Sequence, residues 1–149
     1  MLPGAAAATE LPPAVDLRRD ATEAQARRVP LLVLFSLQDC AYCERVRQEF
    51  LLPAQDSPEW SGRVIMRQVE MKSPRALTDF AGRATSHGKF AREQRIRVAP
   101  TVKVFDTEGR EAAEPLVGLL TPELYGVYLE RALQEGLART RQGRELPPR

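Results

Sequence analysis

The sequence predicts an α/β protein in which parallel strands are joined by helices and a terminal hairpin closes the sheet. Three observations lead there. Leu31-Leu32-Val33-Leu34-Phe35 is a continuous apolar run between Pro30 and a polar segment, the pattern of a short strand buried on both faces. Helix-forming stretches alternate with such runs in the order α-β-α-β-α-β-β-α. The 149 residues, 43% hydrophobic and 28% charged, suffice for one ordinary domain and are too balanced for a disordered chain.

Met1 to Pro13 is rich in alanine and proline and is expected to be loosely attached, with residues 1–14 forming a flexible segment. It lacks the basic and apolar regions of a secretory signal. Val15 to Arg28 reads as a helix with Asp16 or Asp20 as cap, and Pro30 stops it. After the first strand, Gln38 and Asp39 break the apolar run. Glu44 to Leu52 has helical composition, with Cys43, Val46 and Phe50 on an inner stripe and Pro53 ending or kinking it. Asp56 to Trp60 reads as a turn entering a short helix, with Trp60 half-buried. Val64 to Val69 is a second strand. Ser73 to Arg95 is expected to be mainly helical, broken at Ser86-His87-Gly88, with His87 a solvated loop residue. Val98 to Phe105 is a strand entered through Pro100. Asp106 to Gly109 is a turn, and Pro115 to Leu119 a last short strand. Thr121-Pro122-Glu123 opens the final helix through a threonine cap and a proline in the first turn. The polar, basic residues 137–149 are expected to fray, which leaves 15–136 as the domain.

Composition excludes several functions. No apolar run approaches the ~20 residues of a membrane span. A net charge of +2 argues against a dedicated nucleic-acid binder. Two cysteines and one histidine are one ligand short of a closed zinc site, so no metal is expected.

The chemistry concentrates at Cys40-Ala41-Tyr42-Cys43. Cys40 lies after a buried strand and at the mouth of a helix, where unpaired backbone N–H groups and the helix dipole favour a thiolate. Cys43 is one turn later on the same face and can close a small disulfide ring with it. An inert structural disulfide, or two unrelated buried thiols, is the bland reading of the same spacing.

The strand–Cys-x-x-Cys–helix segment from Leu31 to Leu52 resembles the thioredoxin superfamily. So do Val98-Ala99-Pro100-Thr101 about 60 residues on, and the run Val104 to Arg110 followed by Val117-Gly118 and a helix. The resemblance spans roughly Val15 to Glu135. Within the superfamily the chain is most similar to bacterial envelope thioredoxin-related proteins, including the SoxW-like group. This implies a thioredoxin-like three-layer α/β/α sandwich on a central mixed sheet of four to five strands. It implies a thiol–disulfide oxidoreductase, a reductase of protein disulfides, with Cys40 as nucleophile and Cys43 as resolving thiol. Pro100 is then expected to be cis and close to Cys40. Ala99, Pro100 and Thr101 would position a substrate chain, and Tyr42 would stand exposed at the rim. The partners implied are protein disulfides and a redox partner protein, with no bound organic cofactor, for a monomer in the periplasm or cell envelope; the cytoplasm is the alternative.

Three departures stand out. Asp39 replaces the thioredoxin tryptophan, Ala41-Tyr42 replaces Gly-Pro, and Leu34 stands where thioredoxin buries an aspartate that assists proton transfer. Asp39 is thereby a candidate for tuning the pair. The competing reading is a thioredoxin-fold binding module with a structural or vestigial cysteine pair.

Overall fold

The computed structural model describes residues 10–142. Its core is a four-stranded mixed sheet in the order β2-β1-β5-β6. β1 (Leu31–Ser36) lies at the centre with all six residues buried. It pairs in parallel with β2 (Ile65–Glu70), Leu34 facing Gln68, and antiparallel with β5 (Thr101–Phe105), Phe35 facing Thr101. The short β6 (Leu116–Val117) completes the sheet beside β5.

Alternation along β1 builds two cores. Leu32 and Leu34 point into one cluster with Val46, Leu51, Met66, Val102, Val104, Tyr125, Leu129 and Leu133. Leu31, Val33 and Phe35 point into the other with Leu17, Ala21, Ala24, Val69, Phe90 and Phe105. Helices cover both faces, because a strand apolar on both sides must be covered on both. One layer is α1 (Leu17–Arg27) with α4 (His87–Glu93); the other is α2 (Ala41–Val46), α3 (Leu52–Asp56) and α5 (Pro122–Gln142). This is the expected α/β/α sandwich.

Local chemistry sets the element ends. Asp16 caps α1 by accepting the Arg19 N–H at 2.9 Å, and Arg28 ends it in the left-handed region. The buried face of α1 includes Asp20, which accepts both Arg67 Nε and Nη2 at 3.0 Å, a two-pronged pair from β2. Gly136 lets α5 approach the sheet: a Cβ there would stand 2.5 Å from Val104 Cγ1.

Several expectations need correction. Pro53 does not end its helix. The rod widens into a π turn over Arg47–Leu51, where the Leu52 N–H donates to Arg47 O. Pro53 thereby falls in the first turn of α3, where its missing donor goes unmissed. Residues 73–86 are not helical. They carry a hairpin of β3 (Ala76–Thr78) and β4 (Ala84–Ser86). The buried Asp79 carboxylate turns it by accepting the Ala81 and Arg83 N–H groups at 2.9 Å, with Gly82 at φ 85°. Ser86 is not a break but the cap of α4, and His87 opens the helix fully buried rather than solvated.

Trp60 is more deeply buried than expected and donates through Nε1 to Glu130 at 2.8 Å. Asp56 ends α3, and residues 57–60 form turns, not the start of a helix, with Ser57 Oγ accepting the Trp60 N–H. Residues 11–14, expected to be loose, lie along β2. Ala14 donates to Gln68 O, Gln68 donates to Pro12 O, and Leu11 and Ala14 are buried. At the other end α5 continues to Gln142, and Arg139 donates to Glu111 O at 3.3 Å. Most of the two stretches expected to be flexible, 1–9 and 143–149, lies outside the described residues.

Candidate active site

The C-terminal end of β1 delivers the chain to the site. Asp39 turns it with φ 55°, a left-handed conformation that aspartate tolerates better than most residues. Cys40 follows in an extended conformation and caps α2, its Sγ accepting the Cys43 N–H at 3.1 Å. The two sulfurs are joined in a disulfide with a Cα–Cα distance of 5.2 Å. Cys40 is partly exposed, whereas Cys43 is 1% exposed. One cysteine is therefore partly open to solvent and the other lies beneath the surface. The backbone donor already aimed at Cys40 Sγ stabilises a thiolate once the ring opens.

The pairing of Phe35 with Thr101 brings the segment before β5 to the same end of the sheet. The Ala99–Pro100 peptide bond there is cis. Pro100 O accepts the Gly118 N–H at 2.7 Å, and Thr101 Oγ1 donates to Val98 O at 2.6 Å. Ala99 is half-buried, and Pro100 and Thr101 are buried. Around these residues Val98 and Val117 are exposed and line one cleft with Thr101. Tyr42 is 61% exposed between the cysteines. Asp39 is exposed, not turned inward. Leu34 is fully buried in the apolar cluster, so its position offers no proton relay.

Sequence reasoning misses a buried polar network built around Arg47, on the same helical stripe as Cys43. Arg47, one turn after Cys43, has a side chain only 4% exposed. It donates to Glu44 Oε1 at 2.6 Å, to Gln68 Oε1 at 2.9 Å and, more weakly, to Ser36 Oγ at 3.4 Å. Gln68 Nε2 continues the chain to Glu70 Oε1 at 2.5 Å. The signal was present in the spacing. Position 47 falls four after Cys43, on the inner stripe shared with Val46 and Phe50, and a cation there must find partners.

The sole histidine lies elsewhere. His87 Nδ1 accepts the Glu70 N–H at 3.0 Å, which leaves Nε2 to donate to Ala14 O at 2.7 Å. Burial pushes its pKa below the ordinary value; the Ala14 carbonyl and Glu70 oppose the shift and Arg75 adds to it. Its role is to tie the N-terminal segment to β2. Among the described residues no group of three or more His, Cys, Asp or Glu side chains is placed to hold a metal ion, and no helix is long and apolar enough to cross a membrane.

Comparison with known proteins agrees with this architecture. The family model described as a thioredoxin-like domain matches residues 17–133. No curated protein sequence matches the chain significantly. Among solved structures, Trxlp from Edwardsiella tarda superimposes with a TM-score of 0.58 at 20% identity, over 80% of this chain and 98% of that one. Mitochondrial thioredoxin 3 from Saccharomyces cerevisiae gives 0.55 at 14%, over 84% and 94%. The periplasmic thioredoxin SoxS from Paracoccus pantotrophus gives 0.50 at 16%, over 71% and 97%. Identities this low speak for the fold alone. The family match spans the packed body from α1 to most of α5, with the cysteine pair at its strand–helix junction: the chain belongs to the thioredoxin-like domain family.

Proposed function

We propose that this protein is a thiol–disulfide oxidoreductase that reduces disulfides of other proteins. The observation that carries the reading is the asymmetry of the pair: Cys40 partly exposed at a helix start, Cys43 buried beneath it. In the forward reaction the Cys40 thiolate attacks a partner disulfide. The partner's S–S bond breaks, a mixed disulfide forms, and the released thiolate takes a proton. Cys43, as thiolate, then attacks Cys40 Sγ, closes the ring and expels the second partner thiolate. Two electrons have passed to the partner, and a redox partner protein restores the dithiol.

The backbone of Ala99 pairs with the substrate chain like an added strand, with Pro100 and Thr101 holding that segment in place. Tyr42 contacts the substrate from the rim, and Asp39 tunes the pair. The protein acts as a monomer without an organic cofactor. A bacterial envelope location follows from the resemblance to envelope thioredoxin-related proteins and agrees with the periplasmic SoxS among the structures of the same fold.

Trapping tests the assignment. Cys40→Ser abolishes turnover of a disulfide substrate, whereas Cys43→Ser accumulates mixed disulfides that non-reducing gels resolve. A Cys43→Ser protein that keeps full turnover with a dithiol reductant and traps nothing would remove the resolving role.

A further inference from the structure

The chain carries a buried cation where a proton carrier is missing. A thiol as buried as Cys43 resists ionisation, because desolvation disfavours the thiolate. Cys43 must nevertheless be a thiolate to resolve a mixed disulfide, and it leaves as one when the ring is opened. Leu34 cannot hold or move a proton for it. Arg47 can supply a charge instead. Its backbone N–H donates to Cys43 O, so the two residues stand one turn apart on the same helix. Neighbours at that spacing share a face. Its guanidinium is anchored to Ser36, the last residue of β1 before the turn to Cys40, and to Gln68 on β2. These two partners are neutral. The carboxylate paired to it, Glu44, is 64% exposed, so water screens that charge while the buried guanidinium is screened far less. The other anions are Glu70, reached through Gln68, and Asp39, which is exposed. A guanidinium keeps its proton in proteins, so the group acts as a fixed charge and not as a relay.

We propose that Arg47 is a positioning residue for the Cys40–Cys43 exchange, whose buried guanidinium stabilises the Cys43 thiolate in place of a proton relay. The proposal rests on the oxidoreductase reading above. In the resolving step the Cys43 thiolate bonds to Cys40 Sγ, the mixed-disulfide bond breaks, and the electron pair leaves on the partner sulfur. Arg47 lowers the cost of presenting the thiolate that begins this step. In the reverse direction it favours Cys43 as leaving group. Because it favours the reduced pair, it also makes the disulfide a stronger oxidant than the same site without it.

The test uses the reduced full-length protein and a chromogenic aryl disulfide. Cys40 takes one aryl thiol and releases the other in a first burst; Cys43 displaces the second in a later one. The pH midpoint of the second burst reads the Cys43 thiolate directly. In the unaltered protein it lies below the ordinary thiol value of about 8.5. Arg47→Met raises that midpoint by about one pH unit and slows the second burst at neutral pH about tenfold. At a pH above both midpoints, where Cys43 is ionised in either protein, it also shifts the equilibrium against glutathione about tenfold toward the disulfide, close to 30 mV. Arg47→Lys restores most of the rate. Glu44→Gln removes a counter-charge that water already screens and lowers the midpoint by far less than Arg47→Met raises it. A folded Arg47→Met protein with the original midpoint and equilibrium overturns the proposal. Should Arg47→Met fail to fold, Arg47→Gln, which keeps hydrogen-bonding capacity without the charge, takes its place, and an unmoved midpoint there overturns the proposal. A second burst missing from the unaltered protein sinks the oxidoreductase reading itself, an outcome distinct from either.

Discussion

Both helical layers bury polar side chains, and Arg47 in one and His87 in the other are satisfied in different ways. In the layer of α2, α3 and α5, Arg47, one turn after Cys43, reaches three side chains. In the layer of α1 and α4, His87 is enclosed by two backbone groups, one from β2 and one from the N-terminal segment. Side-chain partners hold the Arg47 guanidinium, a fixed charge, inside the layer that carries Cys43. Backbone partners fix His87 in one tautomer and burial favours its neutral form, so that it works as a clip. Burial alone does not mark a functional group; the identity of its partners does.

Substitutions in the α1/α4 layer should therefore change stability and leave the cysteine chemistry alone. The largest effect is expected at Phe90, which is 2% exposed and stacks on Phe35 with ring centroids 6.0 Å apart. Phe90→Ala should cost about 3–5 kcal/mol in urea unfolding with the reduction potential unchanged. A shifted potential would mean that the layers are coupled.

His87→Leu keeps the volume but strands the Glu70 N–H and the Ala14 carbonyl, at about 2–4 kcal/mol for the two. It should also flatten the pH dependence. The folded-state pKa of His87 lies below its ordinary value of 6.5. Its contribution is thus fully present above pH 6.5 and declines as the pH falls, because the unfolded chain takes up the proton first. Unfolding curves that keep the same acid slope after substitution would contradict the clip.

In the cysteine layer, Gly136→Ala forces a methyl to within 2.5 Å of Val104 Cγ1 and 3.3 Å of Pro30 Cβ. It should lower stability by about 1–3 kcal/mol through overpacking. The smallest effect is at the α1 cap, where Asp16→Ala should cost about 1 kcal/mol.

What the sequence made legible follows the same division. The run from Leu31 to Phe35, the turn at Asp39 and the placement of Cys40 and Cys43 could be read directly, because each rests on local pattern. Thr121-Pro122 likewise marked the start of α5. The hairpin at residues 76–86 reads as helix in the sequence. Its strands are three residues each, and the Asp79 turn is held by backbone donors that propensity does not report. His87 was misplaced for a similar reason. Beside Gly88 it reads as a loop residue, and only the arrival of Ala14 and Glu70 from distant sequence makes it a core residue. Arg47 lies on the inner stripe, but local pattern does not show what would satisfy it there. Its partners Gln68 and Ser36 come from β2 and β1, which no local window contains.

The reduction potential of the Cys40–Cys43 pair tests the central claim most directly. It is measured by equilibration against glutathione or dithiothreitol buffers with thiol trapping. A reversible two-electron couple near the thioredoxin value of about −270 mV is the expected result. A disulfide that resists these reductants and lies below about −300 mV would be a structural staple, and a binding module would then be the better account of the fold.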